Sequence, residues 1–245
     1  MRVLRDQFDE WAKFTGGKLS GRQWLLAKWE VFEGIDWPPE KIELMLMILS
    51  SRLNLKPGHI LADVGCGGGW ILQALLPQAG YAFGVDFSAQ MLANARQVVP
   101  FSRLVQGDIG ALPLRGESVD RLLCYFVLVN MMDDGLVERA LLELTRVLKP
   151  GGIALVGQLP DASGSSDYNA AKAAYMDYCQ HTFPVGASYR DVERMPQKLF
   201  DMPRLEAFLQ ARGIAYHMEP SFNPFYRPGE PSTVWWRKDL VIEKR

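Results

Sequence analysis

Cysteine and histidine are both scarce in this chain, with three of each. Cys66, Cys124 and Cys179 stand far apart, without a CxxC pair or a Cys/His spacing suited to zinc, so neither a disulfide framework nor a metal site is expected. Charge of one sign is missing too: 27 basic residues balance 28 acidic ones, for a formal net charge of −1. No global field gathers polyanions, and no nucleic-acid partner is expected. Long apolar runs are absent, since residues 44–49 and 122–130 are too short to span a bilayer. The opening Met1-Arg2-Val3-Leu4-Arg5-Asp6 lacks the apolar core of a signal peptide. The expectation is a soluble cytoplasmic protein with no membrane association, either monomer or homodimer. Repeats and low-complexity tracts are lacking as well.

What is present is an ordinary globular balance, 48% hydrophobic and 22% charged over 245 residues. It suits one domain, or a core of about 150–200 residues with attached caps. Residues 1–37 set Phe8, Trp11, Phe14, Trp24, Trp29, Phe32 and Trp37 among charges, which predicts a helical cap laid over another surface. The remaining 38–245 read as the main domain. Pro38-Pro39 opens a helix to about Leu53, closed by Lys56-Pro57-Gly58.

From His59 strands and helices alternate, the pattern of a doubly wound, mostly parallel sheet covered on both faces. Strands are predicted at 60–64, 81–85, 103–106, 119–126 and 153–156, with a helix at 70–79 between the first two. Ser88 is positioned to cap a helix whose Met91, Leu92, Ala95, Val98 and Val99 share one face. Leu136, Val137, Ala140, Leu141, Leu144, Val147 and Leu148 form the clearest helical stripe, ended by Lys149-Pro150-Gly151-Gly152. Residues 160–200 break the rhythm and read as an insertion near the site, containing a helix at 168–180. A helix at 201–212 and strands at 214–219 and 234–242, a hairpin-like antiparallel edge, complete seven strands.

The chemistry concentrates in Asp63-Val64-Gly65-Cys66-Gly67-Gly68-Gly69-Trp70, a strand running through glycines into a helix. Such a turn lets backbone approach a ligand and presents unpaired N–H groups, although a tight turn without a ligand has the same composition. A dinucleotide fingerprint, Gly-x-Gly-x-x-Gly, fits Gly65 and Gly67 but puts Trp70 where a third glycine admits close helix packing. Downstream, Asp86 ends the second strand, twenty-one residues after Gly65, where a carboxylate can accept from both hydroxyls of a ribose. Gln106-Gly107-Asp108-Ile109 follows the third strand.

In this order the segments resemble the class I S-adenosylmethionine-dependent methyltransferases. Motif I of that family, Asp/Glu-x-Gly-x-Gly-x-Gly, is matched by Asp63, Gly65, Gly67 and Gly69, and the turn at Arg146–Gly152 also looks like the family's. The resemblance covers roughly residues 59–157 and implies a Rossmann-like methyltransferase fold. It implies S-adenosylmethionine as cofactor, S-adenosylhomocysteine as product and a small-molecule acceptor. By the same resemblance Gly65, Cys66 and Gly67 meet the methionine part, Asp86 the ribose, and Asp108 the adenine amino group with the Ile109 N–H facing the ring. Phe87 either covers adenine or packs under the helix, and Tyr125 follows on the fourth strand. Asp63 either orients the loop, contacts the ammonium through water, or simply braces the turn.

Acceptor pockets in open α/β sheets form beyond the carboxyl ends of the strands. This directs attention to Tyr125, Phe126 and Asn130, to Gln158 and Leu159, and to Trp11, Phe14 and Tyr168 in the caps. A sulfonium donor needs geometry more than acid–base help, but an acceptor that must lose a proton benefits from a base. His59 lies at the far edge of the sheet and His217 in a late strand, which leaves His181 as candidate base or exposed loop residue. Rival readings are an NAD-dependent oxidoreductase and a cofactor-binding protein without transferase activity. Amino-directed DNA methylation would resemble the family with Asn/Asp-Pro-Pro-aromatic after strand four, where this chain has Tyr125-Phe126-Val127-Leu128.

Overall fold

Successive side chains of a strand point to opposite faces, so a near-continuous apolar run lets a sheet bury both of them. Here Leu61, Leu123, Leu155 and Val241 point into one core layer, while Ala62, Leu122, Ala154, Leu240 and Ile242 point into the other. The computed structural model describes residues 5, 6, 9, 39–99, 103–164, 197–222 and 237–245. Trp11, Phe14, Tyr168 and His181 lie outside the described residues, as does the helix expected at 168–180.

The described helices are α1 (Pro39–Arg52), α2 (Trp70–Leu75), α3 (Ala89–Val98), α4 (Asp134–Val147) and α5 (Met202–Ala211). The strands are β1 (Ile60–Val64), β2 (Tyr81–Asp86), β3 (Arg103–Gln106), β4 (Val119–Tyr125), β5 (Leu148–Pro160), β6 (Ala215–Pro220) and β7 (Arg237–Glu243). They form one seven-stranded sheet in the order β3-β2-β1-β4-β5-β7-β6. The pairs among β1 to β5 are parallel, and β7 runs antiparallel to both β5 and β6. Met45, Leu49 and Leu53 at α1, Trp70, Leu72 and Leu75 on α2, and Ala95 on α3 cover one face; Val137, Leu141 and Leu144 on α4 with Leu205 and Leu209 on α5 cover the other. The doubly wound reading of the sequence holds.

Local signals explain most ends. Ser88 Oγ accepts from the Met91 N–H at 3.0 Å, and Asp133 and Asp201 cap α4 and α5 in the same way. Gly213, at φ +64, sits where α5 stops. Three boundaries differ from expectation. The helix at 70–79 shortens to α2 plus a 3₁₀ turn at Leu76–Gln78, where Pro77 removes a helix donor. β4 ends at Tyr125 because Phe126 turns to φ +60. β5 is far longer than 153–156: it pairs with β4 from Leu148 onward and with β7 as far as Pro160, through a bulge at Gly157 and Gln158. The final hairpin exists, but only β6 is an edge; β7 is an inner strand with Leu240, Val241 and Ile242 buried.

Candidate functional site

The carboxyl ends of β1, β2 and β4 and the loop after β3 enclose a cleft lined by Val64, Gly65, Gly67, Val85, Asp86, Phe87, Met91, Gly107, Ile109, Tyr125, Phe126, Val127, Asn130 and Met131. Backbone hydrogen bonds lock the floor. Gly65 N–H and Cys66 N–H both donate to Val85 O, at 2.7 and 3.1 Å, and Gly107 N–H donates to Asp86 O at 2.9 Å. Three loops distant in sequence are thereby joined at the end of β2.

Asp86 is the polar centre of this region. Its Oδ2 accepts from Gly67 N–H at 2.8 Å and its Oδ1 from Ser88 N–H at 2.9 Å, so the carboxylate is held rigidly at the cleft wall. Gly65 is required for two reasons: its φ of +79 suits glycine, and a Cβ there would stand 2.3 Å from Val127 Cγ2. Gly67, also left-handed, leaves its Cβ position open, with Met91 Cε 3.8 Å away.

Of the other expected residues, Phe87, Ile109, Tyr125 and Asn130 line the cleft, whereas Asp63, Cys66 and Asp108 do not. Asp63 is buried beneath the turn, and desolvation, with the neighbouring Asp86 charge adding to it, pushes its carboxyl up to about 7. Cys66 turns its sulfur against β2, where a Cβ on Gly84 would be 2.6 Å from Sγ, and burial raises its thiol. Only its backbone belongs to the turn. Asp108 Oδ1 accepts from Gly110 N–H at 2.8 Å, which fixes the carboxylate within its own loop. Above this end, the Arg5 guanidinium lies 6.0 Å from the Phe87 ring centre and Ser88 Oγ donates to the Asp9 carboxylate. Those two contacts bring the start of the chain to the cleft rim.

At the opposite end a polar network backs Tyr125 and Phe126. Gln158 Nε2 donates to Tyr125 Oη and to Phe222 O, each at 2.9 Å, and Gln158 N–H donates to buried Asp239 at 2.9 Å. Arg237 donates to Gln158 O at 3.0 Å and to Gln197 Oε1 at 2.8 Å, with its guanidinium 5.8 Å from the Phe126 ring centre. Phe126 and Gln158 both adopt left-handed backbone, φ +60 and +67, a strain of about 1–3 kcal/mol each. Asn130 Nδ2 donates to the carbonyls of Phe126 and Val127 at 2.9 and 3.2 Å and so shapes this wall. Sequence reasoning reached Gln158 but missed Arg237, Val127 and Met131; the first residue of a strand and two apolar residues after another carry no distinguishing signal. His59 and His217 do not line the cleft.

Residues 62–156 match a family model described as a methyltransferase domain. A malonyl-(acyl-carrier protein) O-methyltransferase of Pectobacterium atrosepticum is 38% identical over 114 residues, which cover 45% of this chain and 44% of that protein. A demethylmenaquinone methyltransferase of Streptomyces griseus is 26% identical over 175 residues, 67% of this chain and 72% of that protein. Among solved structures, magnesium protoporphyrin IX methyltransferase from Synechocystis PCC 6803 with bound SAH superposes with a TM-score of 0.60 at 16% identity, covering 100% of this chain and 99% of that one. That last likeness is one of fold. The chain spans less than half the length of the malonyl-(acyl-carrier protein) relative.

Proposed function

We propose, for a chain that belongs to the class I S-adenosylmethionine-dependent methyltransferases, that it methylates a small-molecule acceptor in the cleft between the glycine turn and the end of β4. The observation that carries this reading is the Asp86 carboxylate, fixed by the N–H groups of Gly67 and Ser88 beside a turn that a side chain at Gly65 would block. S-adenosylmethionine, when bound, supplies a methyl group already activated by a positively charged sulfur.

The protein's own groups then divide the work. Asp86 accepts hydrogen bonds from the ribose hydroxyls, and the turn through Gly65, Cys66 and Gly67 admits the methionine part against backbone. Phe87 covers one face of adenine, a use of aromatic surface that suits a ring, and the Ile109 N–H faces the ring. Asp108, between the cleft-lining Gly107 and Ile109, accepts from the adenine amino group with Oδ2, since Gly110 N–H occupies Oδ1. Asp63, buried beneath the turn, braces it from inside the sheet, and Tyr125 closes the cleft floor towards the acceptor.

Asn130 holds the acceptor wall, with Trp11, Phe14 and Tyr168 as further acceptor contacts and His181 as the base for an acceptor that must lose a proton. Placing the acceptor and excluding water supply most of the rate. The domain division belongs to the same reading: a helical cap over 1–37 and the methyltransferase domain over 38–245, with a cap insertion at about 160–200. The contacts of Arg5 and Asp9 with Phe87 and Ser88 support the first cap, and the bridge between Asp161 and Phe200 closes the base of the second. A cytoplasmic monomer or homodimer fits this reading. Among the described residues no helix is long and apolar enough to cross a membrane.

The test is calorimetry of the full chain with S-adenosylhomocysteine and with NAD, followed by transfer of labelled methyl to a panel of acceptors. Binding of the homocysteine product with methyl transfer is expected. Stabilisation by NAD alone would overturn the reading in favour of an oxidoreductase, and cofactor binding without transfer to any acceptor would favour a non-catalytic protein.

A further inference from the structure

The loop that follows β3 closes on itself and is then fastened to α4. Ala111 N–H donates to Asp108 O at 3.0 Å, and a Cβ on Gly107 would stand 2.6 Å from Pro113 Cδ, so the loop's entrance and exit touch. The entrance is tied to Asp86 by the Gly107 N–H. Two charged residues one turn apart on α4, neither of them lining the cleft, tie down the exit. Glu143 Oε2 accepts from Leu112 N–H at 2.7 Å. Arg146 donates to Leu112 O at 3.2 Å and to Leu114 O at 3.0 Å. The two side chains also pair with each other in a two-pronged contact, Nε to Oε1 at 2.6 Å and Nη2 to Oε2 at 2.8 Å. Both polar backbone groups of Leu112 are thus held by opposite charges of a single ion pair.

The geometry points to Glu143 and Arg146 as positioning residues for cofactor selectivity: they hold the 107–114 loop in the conformation from which Asp108 reads the amino edge of adenine. This rests on the S-adenosyl reading of the cleft. Asp108 cannot set its own direction independently of the loop, because its Oδ1 is bonded to Gly110 N–H two residues on. The carboxylate therefore points where the loop backbone points, and the Leu112 end of that backbone is fixed by the pair on α4. Each member of the pair is partly solvated, with side-chain exposures of 41% for Arg146 and 20% for Glu143, and neither belongs to the apolar core. Hydrogen bonding from Arg146 holds the Glu143 carboxyl below its usual range, which keeps the pair charged through neutral pH.

The experiment compares affinity for S-adenosylhomocysteine with affinity for its 6-deamino analogue, which carries hydrogen in place of the amino group. Calorimetry is run on the wild-type chain and on Glu143→Ala, Arg146→Ala and Glu143→Gln. Loss of hydrogen bonds of this kind corresponds to roughly a threefold to tenfold change in affinity. The alanine variants should lose that factor for S-adenosylhomocysteine and hold the deamino analogue within about twofold, again by the size of one such bond. Glu143→Gln keeps an oxygen for Leu112 N–H and should retain most of the preference. Parallel weakening of both ligands, or an unchanged preference in the alanine variants, overturns the proposal while leaving the cofactor reading intact. A folded wild-type chain that binds neither ligand overturns both.

Discussion

Gly157 lies flat against the ring of Tyr125, so closely that a Cβ on it would stand 2.1 Å from both Cδ2 and Cε2. The pair joins the end of β5 to the end of β4, where Tyr125 and Gly157 are register partners. Gly157→Ala must displace the ring and with it the hydrogen bond from Gln158. Overpacking of this kind costs about 1–3 kcal/mol. A melting temperature lower by several degrees is expected, together with weaker acceptor binding; an unchanged melting curve would show that the ring moves freely.

Gly65 offers a sharper test of the cofactor turn. Gly65→Ala drives a methyl group into Val127 Cγ2 and forces a left-handed φ on alanine. Affinity for S-adenosylhomocysteine should fall more than about tenfold, since about 1.4 kcal/mol suffices for that factor. Adding Val127→Ala relieves the clash but not the backbone strain, so calorimetry on the double variant should recover only part of the loss.

Asp86 has structural work besides its proposed binding role, because its carboxylate satisfies Gly67 N–H and Ser88 N–H. Asp86→Ala removes a charge-assisted contact of about 1.5–3 kcal/mol and should weaken S-adenosylhomocysteine about 10- to 150-fold. It also frees two backbone donors, so the melting temperature should fall too. Asp86→Asn keeps one acceptor oxygen and should lie between wild type and alanine in both measurements.

The buried acid Asp63 makes stability depend on pH. Its folded-state carboxyl is raised from an ordinary value of 3.8 to about 7, so between those values the folded chain binds more protons than the unfolded one. Stability from this group is full below about pH 4 and is lost as the pH rises through 7. Asp63→Asn should therefore melt higher than wild type at pH 8, with the difference closing as the pH falls towards 4. Parallel melting profiles across that range would show that the carboxylate is charged in the fold throughout.

The segment from β1 to α2 was legible because a buried strand, a glycine turn and a helix start are all local. The same holds for Ser88 as a cap and for the apolar stripe of α4. Gln158 was not legible in this way. Its left-handed backbone is accompanied by an N–H bond to Asp239, 81 residues further on, and glutamine carries no preference for that conformation. The length of β5 was hidden for the same reason, since its pairing at Leu148 depends on Val119 of β4 and its run to Pro160 on β7. The inner place of β7 had a trace in the sequence: Leu240, Val241 and Ile242 in succession suit a strand buried on both faces better than an edge. At the site, glycines and acids declared themselves by spacing, while Val127, Met131 and Arg237 became site residues only through the fold.

The chain leaves the sheet at Pro160 and returns beside that point at Phe200, and these ends are laced together by Phe200 N–H on Pro160 O at 2.7 Å and Ala162 N–H on Phe200 O at 2.8 Å. Lys198 N–H donates to Val129 O at 2.8 Å, which moors the returning end beside the wall that Asn130 shapes. With both feet clasped, the intervening segment can be exchanged for one of different length or character at a closure cost that grows only slowly with length. Under the proposed methyltransferase reading, such an architecture would let the adenosyl half stay constant while new acceptors are explored by splicing alone.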